Sequence, residues 1–213
     1  MKKISLIIIF ASIFYFYQTS CQAMRIISAR EISEFASDNL WGDVFSVRTM
    51  GQWNEYVRFT FFMPDSYNGK VRGSMLVSGS ANNIEFTFLP GSIIKIFEFK
   101  AADPDMVFWI IKDNALQSNG LTHDFYMIGP YKSSYATYAS MDNIVDMGWN
   151  STNMKVHLLN SENAWPILQG YADNGSGSVL RENLVLSWDD AADWFSMTAY
   201  PLDAFVTAPI PGE

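Results

Sequence analysis

The segment "MVFWIIK", residues Met106–Lys112, consists of six consecutive apolar residues followed by a lysine. A half-buried strand alternates apolar and polar residues, so a short run that is apolar throughout is typical of a strand buried on both faces. The sequence therefore predicts a central strand here, at the middle of a folded core.

Around this segment the apolar residues recur with a period of two, which is the β signature. In "WNEYVRFTFFM", residues 53–63, one face is apolar and the other polar: Val57, Phe59, Phe61 and Met63 against Arg58 and Thr60. Turn signals such as "PDSYNG", residues 64–69, separate such runs. About nine or ten strands joined by short turns predict a mainly β fold, a single antiparallel β-sandwich or barrel-like domain over residues 24–213 with one to three short helices.

Three segments favour those short helices. Ser28 and Glu31 have the spacing of a capping box, and the apolar residues after them predict a helix to about Asn39. The segment "SSYATYASMDNIVDMG", residues 133–148, and the segment "SWDDAADWF", residues 187–195, also predict short helices. The tail "TAPIPGE", residues 207–213, has two prolines and no periodicity, so we expect a loop or a frayed end.

The first 23 residues have the pattern of a secretory signal peptide. A basic dipeptide precedes an uncharged run, residues 4–17, which is shorter than the ~20 residues of a membrane-spanning helix. Small residues then allow cleavage after Ala23. The alternative is cleavage before Cys21 with lipidation of that cysteine, although Gln18 departs from the aliphatic residue that bacterial lipoproteins generally carry at this position. We expect an exported protein that is periplasmic, on the cell surface or secreted.

Cleavage after Ala23 leaves 190 residues without cysteine. Disulfides, thiol nucleophiles and cysteine-ligated metals are then excluded, and a bacterial exported protein is favoured. All 22 acidic residues but only 12 of the 14 basic ones lie in this part, so its net charge is −10. Basic residues that are scattered singly along so acidic a chain argue against nucleic acid and anionic membranes as partners, apart from the alternative lipid anchor.

The sequence lacks the short motifs of several common chemistries. It contains no GxSxG, HExxH, GxGxxG or GxxxxGK[ST] pattern, so we predict no nucleotide, no zinc and no other cofactor or metal. His157 falls in the strand "MKVHLL" beside a lysine, and we expect half-exposed surface there.

Two groups of titratable residues give the hydrolase alternative. Asp189, Asp190 and Asp193 form the densest acidic group, which fits a calcium site, a pair of glycosidase carboxylates or, structurally, the capping of free amides at a helix start. His123 and Asp124 are adjacent in a long polar loop, where a carboxylate can raise the pKa of an imidazole. The structural interpretation is favoured for both groups, because capping accounts for all three aspartates and because His123 and Asp124, as neighbours on an extended chain, point apart.

Three of the seven tryptophans lie among polar or turn residues: Trp53 in "GQWNE", Trp149 in "GWNST" and Trp165 in "NAWPI". Exposed aromatic side chains at loop tips stack on sugar rings or anchor a protein partner, whereas caps over the ends of the core are the structural alternative. These three tryptophans are the predicted ligand-binding residues.

The sequence thus predicts an exported, non-catalytic binding protein that contacts a carbohydrate or a protein through aromatic loops. A secreted hydrolase is one alternative. A small outer-membrane β-barrel is the other, although most of the strand runs are shorter than the ~9–11 residues such a barrel needs.

Overall fold

The computed structural model describes residues 24–40, 43–63, 70–80, 83–116, 122, 124–146, 154–159, 166–173, 179–189 and 191–213. These residues form fourteen strands, one α-helix and two 3-10 helices. In chain order the strands are β1 (Arg25–Ala36), β2 (Val44–Met50), β3 (Tyr56–Phe62), β4 (Val71–Val77), β5 (Asn83–Phe88), β6 (Ser92–Asp103), β7 (Asp105–Ala115), β8 (Phe125–Tyr131), β9 (Ser134–Ser140), β10 (Lys155–Leu159), β11 (Pro166–Asp173), β12 (Val179–Asp189), β13 (Trp194–Pro201) and β14 (Thr207–Pro209). The helix α1 is Met141–Asp146, and the 3-10 helices are Ser37–Leu40 and Leu202–Ala204.

The strands form three antiparallel sheets. The middle sheet has the order β1-β6-β7-β8-β9, the first outer sheet β2-β3-β4-β5 and the second outer sheet β13-β12-β11-β10-β14. The prediction of a mainly β, antiparallel sandwich with a few short helices is therefore confirmed.

Each face of the middle sheet packs against one outer sheet. Trp109 and Ile111 of β7 belong to a core shared with the first outer sheet, whereas Phe108 and Ile110 belong to a core shared with the second. Residues 106 to 112 are buried, except for Val107, which is partly buried. This burial agrees with the central strand that the apolar run predicts. A strand with an apolar layer on both sides has no solvent face to keep polar, which explains the absence of alternation.

Two buried charged side chains, Glu98 and Lys112, are paired across elements. Glu98 of β6 accepts hydrogen bonds from the Arg30 guanidinium at 2.9 and 3.1 Å and from the Thr49 hydroxyl, so it joins the middle sheet to the first outer sheet. Lys112 of β7 donates to the Met154 carbonyl at 2.6 Å and forms an ion pair with Glu213. Burial lowers the pKa of Lys112, and Glu213 opposes that shift. A buried charge is retained only with such partners.

The outward face of the second outer sheet is buried at its central strands and exposed along the edge strand β13. Ile167 and Val185 point away from the core that holds their neighbours, and yet both are buried. β13 and β14 lie at opposite edges of this sheet, so residues 202–206 connect one edge to the other. The buried Asn183 amide donates to the carbonyls of Pro201 and Leu202 at 3.2 and 3.1 Å, which fixes the start of this connection.

The helix predicted after Ser28 is wrong. This segment is β1, which pairs with β6 along its length with three register shifts. Each shift interrupts the alternation of side chains between the two faces of the strand by one position. Ile32 and Phe35 therefore have the spacing of a helix although they lie in a strand. Glu31 forms an ion pair with Lys95 (Oε2–Nζ 3.3 Å) and caps no helix.

The other two helix predictions are only partly right. Residues 134–140 form β9, in which Tyr135 and Tyr138 enter different cores, and only the following residues form α1. Residues 187–195 contain the turn between β12 and β13, where Asp189 Oδ1 accepts hydrogen bonds from the amides of Ala191 and Ala192 at 2.9 and 3.2 Å. The aspartate caps free amides as expected, but in a hairpin.

The predicted fraying of the tail is also wrong. Residues 207–209 form β14 against β10, Ile210 is buried, and Glu213 reaches Lys112. These contacts join positions that lie far apart in the chain, so local composition carried no sign of them.

Candidate functional site

A cleft of about 460 Å³ opens where three hairpin turns meet. It is lined by residues of the β2–β3 turn, the β4–β5 turn and the β8–β9 turn: Trp53, Glu55, Val77, Ser78, Gly79, Ser80, Lys132, Ser133, Ser134 and Tyr135. Trp53, one of the three predicted binding residues, has 47% of its surface exposed there. We call this site the Trp53 cleft.

The β2–β3 turn that carries Trp53 is attached to the middle sheet. The Gln52 side chain accepts a hydrogen bond from the Val107 amide at 2.6 Å and donates one to the Asp105 carbonyl at 2.9 Å. Gly51 closes the turn by donating its amide to the Glu55 carbonyl at 2.9 Å. A Cβ at position 51 would overlap the side chains of Glu55 and Tyr135, so this close approach requires glycine.

Glu55 and Tyr135 hold the turn from inside the cleft. The Tyr135 hydroxyl donates to the Glu55 carboxylate and accepts from the Gln52 amide at 2.6 Å, while the other Glu55 oxygen accepts from the Trp53 amide at 2.8 Å. Burial, followed by the hydrogen bond to Glu55, raises the pKa of Tyr135 well above its ordinary value. Tyr135 is therefore a neutral hydrogen-bond donor at physiological pH.

An aromatic row connects the exposed indole to the core. The ring centroids of Trp53 and Tyr135 are 5.3 Å apart in an edge-to-face arrangement, and Tyr135 lies 5.5 Å from Trp109. Trp109 in turn meets Phe59 edge to face at 5.6 Å. Such pairs contribute about 0.5–1.5 kcal/mol each beyond their burial, so one edge of Trp53 is fixed while part of its surface stays open to solvent.

Three residues in the turns around the cleft have a positive φ, in the left-handed region of backbone conformation. Lys132, the first residue of the two-residue β8–β9 turn, has φ 55°, and Asn54 beside Trp53 has φ 61°. Gly79 in the β4–β5 turn has φ 83°, which glycine adopts without strain. Strained non-glycine residues cluster at functional sites, where the surrounding structure maintains them.

The cleft therefore combines a fixed aromatic surface with serine side chains and a carboxylate. This combination is suited to binding a ligand that has both an apolar face and hydroxyl groups. Its acidic side chain, Glu55, is already engaged by Tyr135 and by the Trp53 amide, and it serves to position the turn.

Several predicted site residues lie outside the described residues: Cys21, Trp149, Trp165, His123 and Asp190. They stay predictions. Asp189 and Asp193 are exposed at the β12–β13 hairpin, where Asp189 caps the turn and Asp193 has φ 51°.

Asp124 and His157 have shifted pKa values. Burial and the nearby Asp113 carboxylate raise the pKa of Asp124 to about 6. His157 is buried on the outward face of β10, with Nδ1 3.0 Å from the Thr207 hydroxyl, and burial lowers its pKa. The expected half-exposed position of His157 is wrong, because the C-terminal segment covers it.

The sequence interpretation missed Gln52, Glu55, Lys132 and Tyr135. Tyr135 is 80 positions away from Glu55, and nothing in the linear pattern links the two. The only local signal was Gly51 before an aromatic residue in a polar turn.

Over the described ranges, no helix is long and apolar enough to cross a membrane. In the same part of the chain, no group of three or more histidine, cysteine, aspartate or glutamate residues is arranged to hold a metal ion. No family model, no curated protein and no solved structure matches the chain.

Proposed function

We propose that the protein is an exported, non-catalytic binding protein that holds a glycan in the Trp53 cleft. The observation that carries this proposal is the half-exposed Trp53 ring, fixed at one edge by Tyr135 and surrounded by polar groups. A sugar ring presents an apolar face and a rim of hydroxyl groups, so it needs an aromatic surface and hydrogen-bonding groups together.

The preformed turn supports the proposal. Ordering a loop on binding consumes part of the interaction free energy, whereas a turn already held by Gln52 and Tyr135 keeps Trp53 in place before the ligand arrives. Ser78 and Ser133 line the same cleft and carry hydroxyl groups that can form hydrogen bonds with a ligand.

A glycan array followed by titration of tryptophan fluorescence tests the proposal. We expect a bound oligosaccharide to change the emission of Trp53. Trp53→Ala should weaken binding at least tenfold, which corresponds to about 1.4 kcal/mol. Tyr200→Ala is the matched control, because Tyr200 is an exposed aromatic residue on β13 of the other outer sheet.

Tyr135→Phe separates positioning from contact. This variant keeps the ring but removes the hydroxyl that holds Glu55 and the Gln52 amide, so we expect a smaller loss of affinity than Trp53→Ala produces. An array without any ligand, or binding that is unchanged in Trp53→Ala, would refute the proposal.

Export is tested separately. We expect the protein isolated from cells to begin at Met24, as cleavage after Ala23 requires. A fatty-acid label that disappears in Cys21→Ser would instead support the lipidated form, and a protein that retains residues 1–23 in the cytoplasm would contradict export.

A further inference from the structure

The outward face of the first outer sheet is basic, although the chain as a whole carries a net charge of −8. Arg48 of β2, Arg58 of β3 and Arg72 of β4 are exposed and occupy this face in alternation with residues of the core. Glu85 of β5 is the acidic residue in the described strands of this face. In the sequence these arginines stand singly, and the pairing of the strands brings them together.

Arg48 and Arg58 are directly opposite each other across β2 and β3. Like charges at such positions lie with their Cβ atoms ~4.5–5.5 Å apart and destabilise a sheet. Within the described part of the chain, neither arginine forms an ion pair, whereas Arg30, Lys95 and Lys112 all do. Among the described residues, therefore, no carboxylate pairs with either of these two arginines.

A groove of about 460 Å³ lies beside this pair and borders the Trp53 cleft. Arg48, Tyr56 and Arg58 line the groove, and Val77, Ser78 and Ser80 line both the groove and the cleft. Tyr56 has 64% of its surface exposed, which adds an aromatic surface next to the guanidinium groups. A chain-like ligand that occupies the cleft therefore has the two arginines in the neighbouring groove.

We propose that the ligand is an acidic glycan, with one sugar in the Trp53 cleft and anionic substituents of the next residues on Arg48 and Arg58. This inference rests on the proposed glycan-binding function. Guanidinium groups bind carboxylate and sulfate in a planar, two-pronged geometry, and an anionic ligand would remove the repulsion between the two arginines. Carboxylate and sulfate share this chemistry, and the experiment distinguishes them.

The test measures binding of the full chain by isothermal titration calorimetry. Hexagalacturonate is the carboxylate probe, and its methyl ester has the same sugar backbone without charge. Dextran sulfate and dextran form the corresponding sulfate pair. We expect at least tenfold tighter binding of one acidic probe than of its neutral counterpart, and an affinity that falls with added salt.

The decisive variant is Arg48→Gln/Arg58→Gln. Its control is Arg25→Gln/Lys155→Gln, which changes the net charge equally at two exposed positions elsewhere. We expect the first double variant to lose at least tenfold in affinity for the acidic probe, and the control to stay within twofold of the unchanged protein. Because all four residues are exposed, thermal unfolding should confirm that both variants fold.

The outcomes separate this inference from the proposed function. Equal binding of acidic and neutral probes that Trp53→Ala abolishes would overturn the acidic ligand and leave the glycan site intact. Acidic binding that depends on the arginines but not on Trp53 would overturn the proposed cleft. Equally tight binding of a single-stranded oligothymidylate of the same charge would show general polyanion binding and overturn the inference.

Discussion

The two outer sheets pack on opposite faces of the same middle sheet, but their outward faces differ. On the second outer sheet the outward residues Ile167, Val185 and Asn183 are buried, and the chain between β13 and β14 contributes to the cover. On the first outer sheet the outward positions are open, with Val44 65% exposed and Arg58 exposed as well.

This difference indicates which face serves the fold and which face is available to a ligand. Polar groups on the covered face have partners within the chain, as Asn183 and His157 do. On the open face, Arg48 and Arg58 oppose each other at a cost to stability. We therefore expect substitutions on the covered face to affect unfolding and substitutions on the open face to affect binding.

The largest effect should come from breaking the ion pair that ties the covering segment to the middle sheet. Glu213→Gln leaves the buried Lys112 ammonium without its carboxylate. Removing one partner of a buried pair costs about 3 kcal/mol or more, and urea denaturation measures this loss. The double variant Lys112→Met/Glu213→Gln should recover most of it, because no buried charge is left. A loss below about 1 kcal/mol in Glu213→Gln would contradict the buried pair.

Asn183→Ala tests the covered face itself. It leaves the carbonyls of Pro201 and Leu202 without their donor, so we expect a loss of about 2 kcal/mol in the free energy of unfolding. Asn83→Ala is the matched control, since Asn83 is exposed on the first outer sheet and its change should stay within about 0.5 kcal/mol. Equal effects of the two substitutions would remove the contrast between the sheets.

Lowering the pH should also reduce the contribution of the covered face to folding stability. The pKa of His157 in the folded state lies below its ordinary value of 6.5, so in mildly acidic solution the unfolded state binds more protons. Its contribution to stability is complete above pH 6.5 and is lost as the pH falls below that value. Unfolding measured between pH 8 and 5 should therefore show a smaller loss on acidification in His157→Gln than in the unchanged protein.

Asp124 provides a control of opposite sign. Its folded pKa of about 6 lies above its ordinary value of 3.8, so its contribution to stability declines as the pH rises between these values. Asp124→Asn should remove that decline and leave the effect of His157 in place. A pH dependence that both substitutions leave unchanged would show that neither group is responsible.

The smallest effect concerns the open face. Arg58→Ala relieves the repulsion from Arg48, so we expect a gain of about 0.5 kcal/mol in the free energy of unfolding at low salt. The gain should shrink in 1 M salt, where charges are screened beyond ~3 Å. A loss of more than about 1 kcal/mol would mean that the arginine stabilises the sheet and would contradict the proposed anionic ligand.

The sequence predicted the strands whose burial is uniform along their length. Residues 106–112 are apolar because both of their faces are covered, and Phe59 and Phe61 alternate with polar residues because one face of β3 is open. It failed at β1, where register shifts against β6 disturb the period of two, and at the tail, where contacts such as that of Glu213 with Lys112 are remote in sequence.

Only the part of the site that neighbouring residues of the sequence form could be predicted. Trp53 was identified because it is an aromatic residue in a polar turn, where a core position is not expected. Tyr135 and Lys132 could not be connected with it, because their proximity depends on how the first outer sheet packs on the middle sheet. The basic face likewise depends on the register that sets Arg48 opposite Arg58, which no local pattern specifies.

Nuclear magnetic resonance of the isotope-labelled protein, titrated with hexagalacturonate and dextran sulfate in turn, tests the contrast between the two outer sheets most directly. We expect one of these anionic probes to shift the signals of the Trp53 indole and of the Arg48 and Arg58 guanidinium groups, while those of Trp188 and of the β12–β13 hairpin stay in place. Shifts concentrated on the second outer sheet, or none with either probe at millimolar concentration, would refute a binding site on the open face.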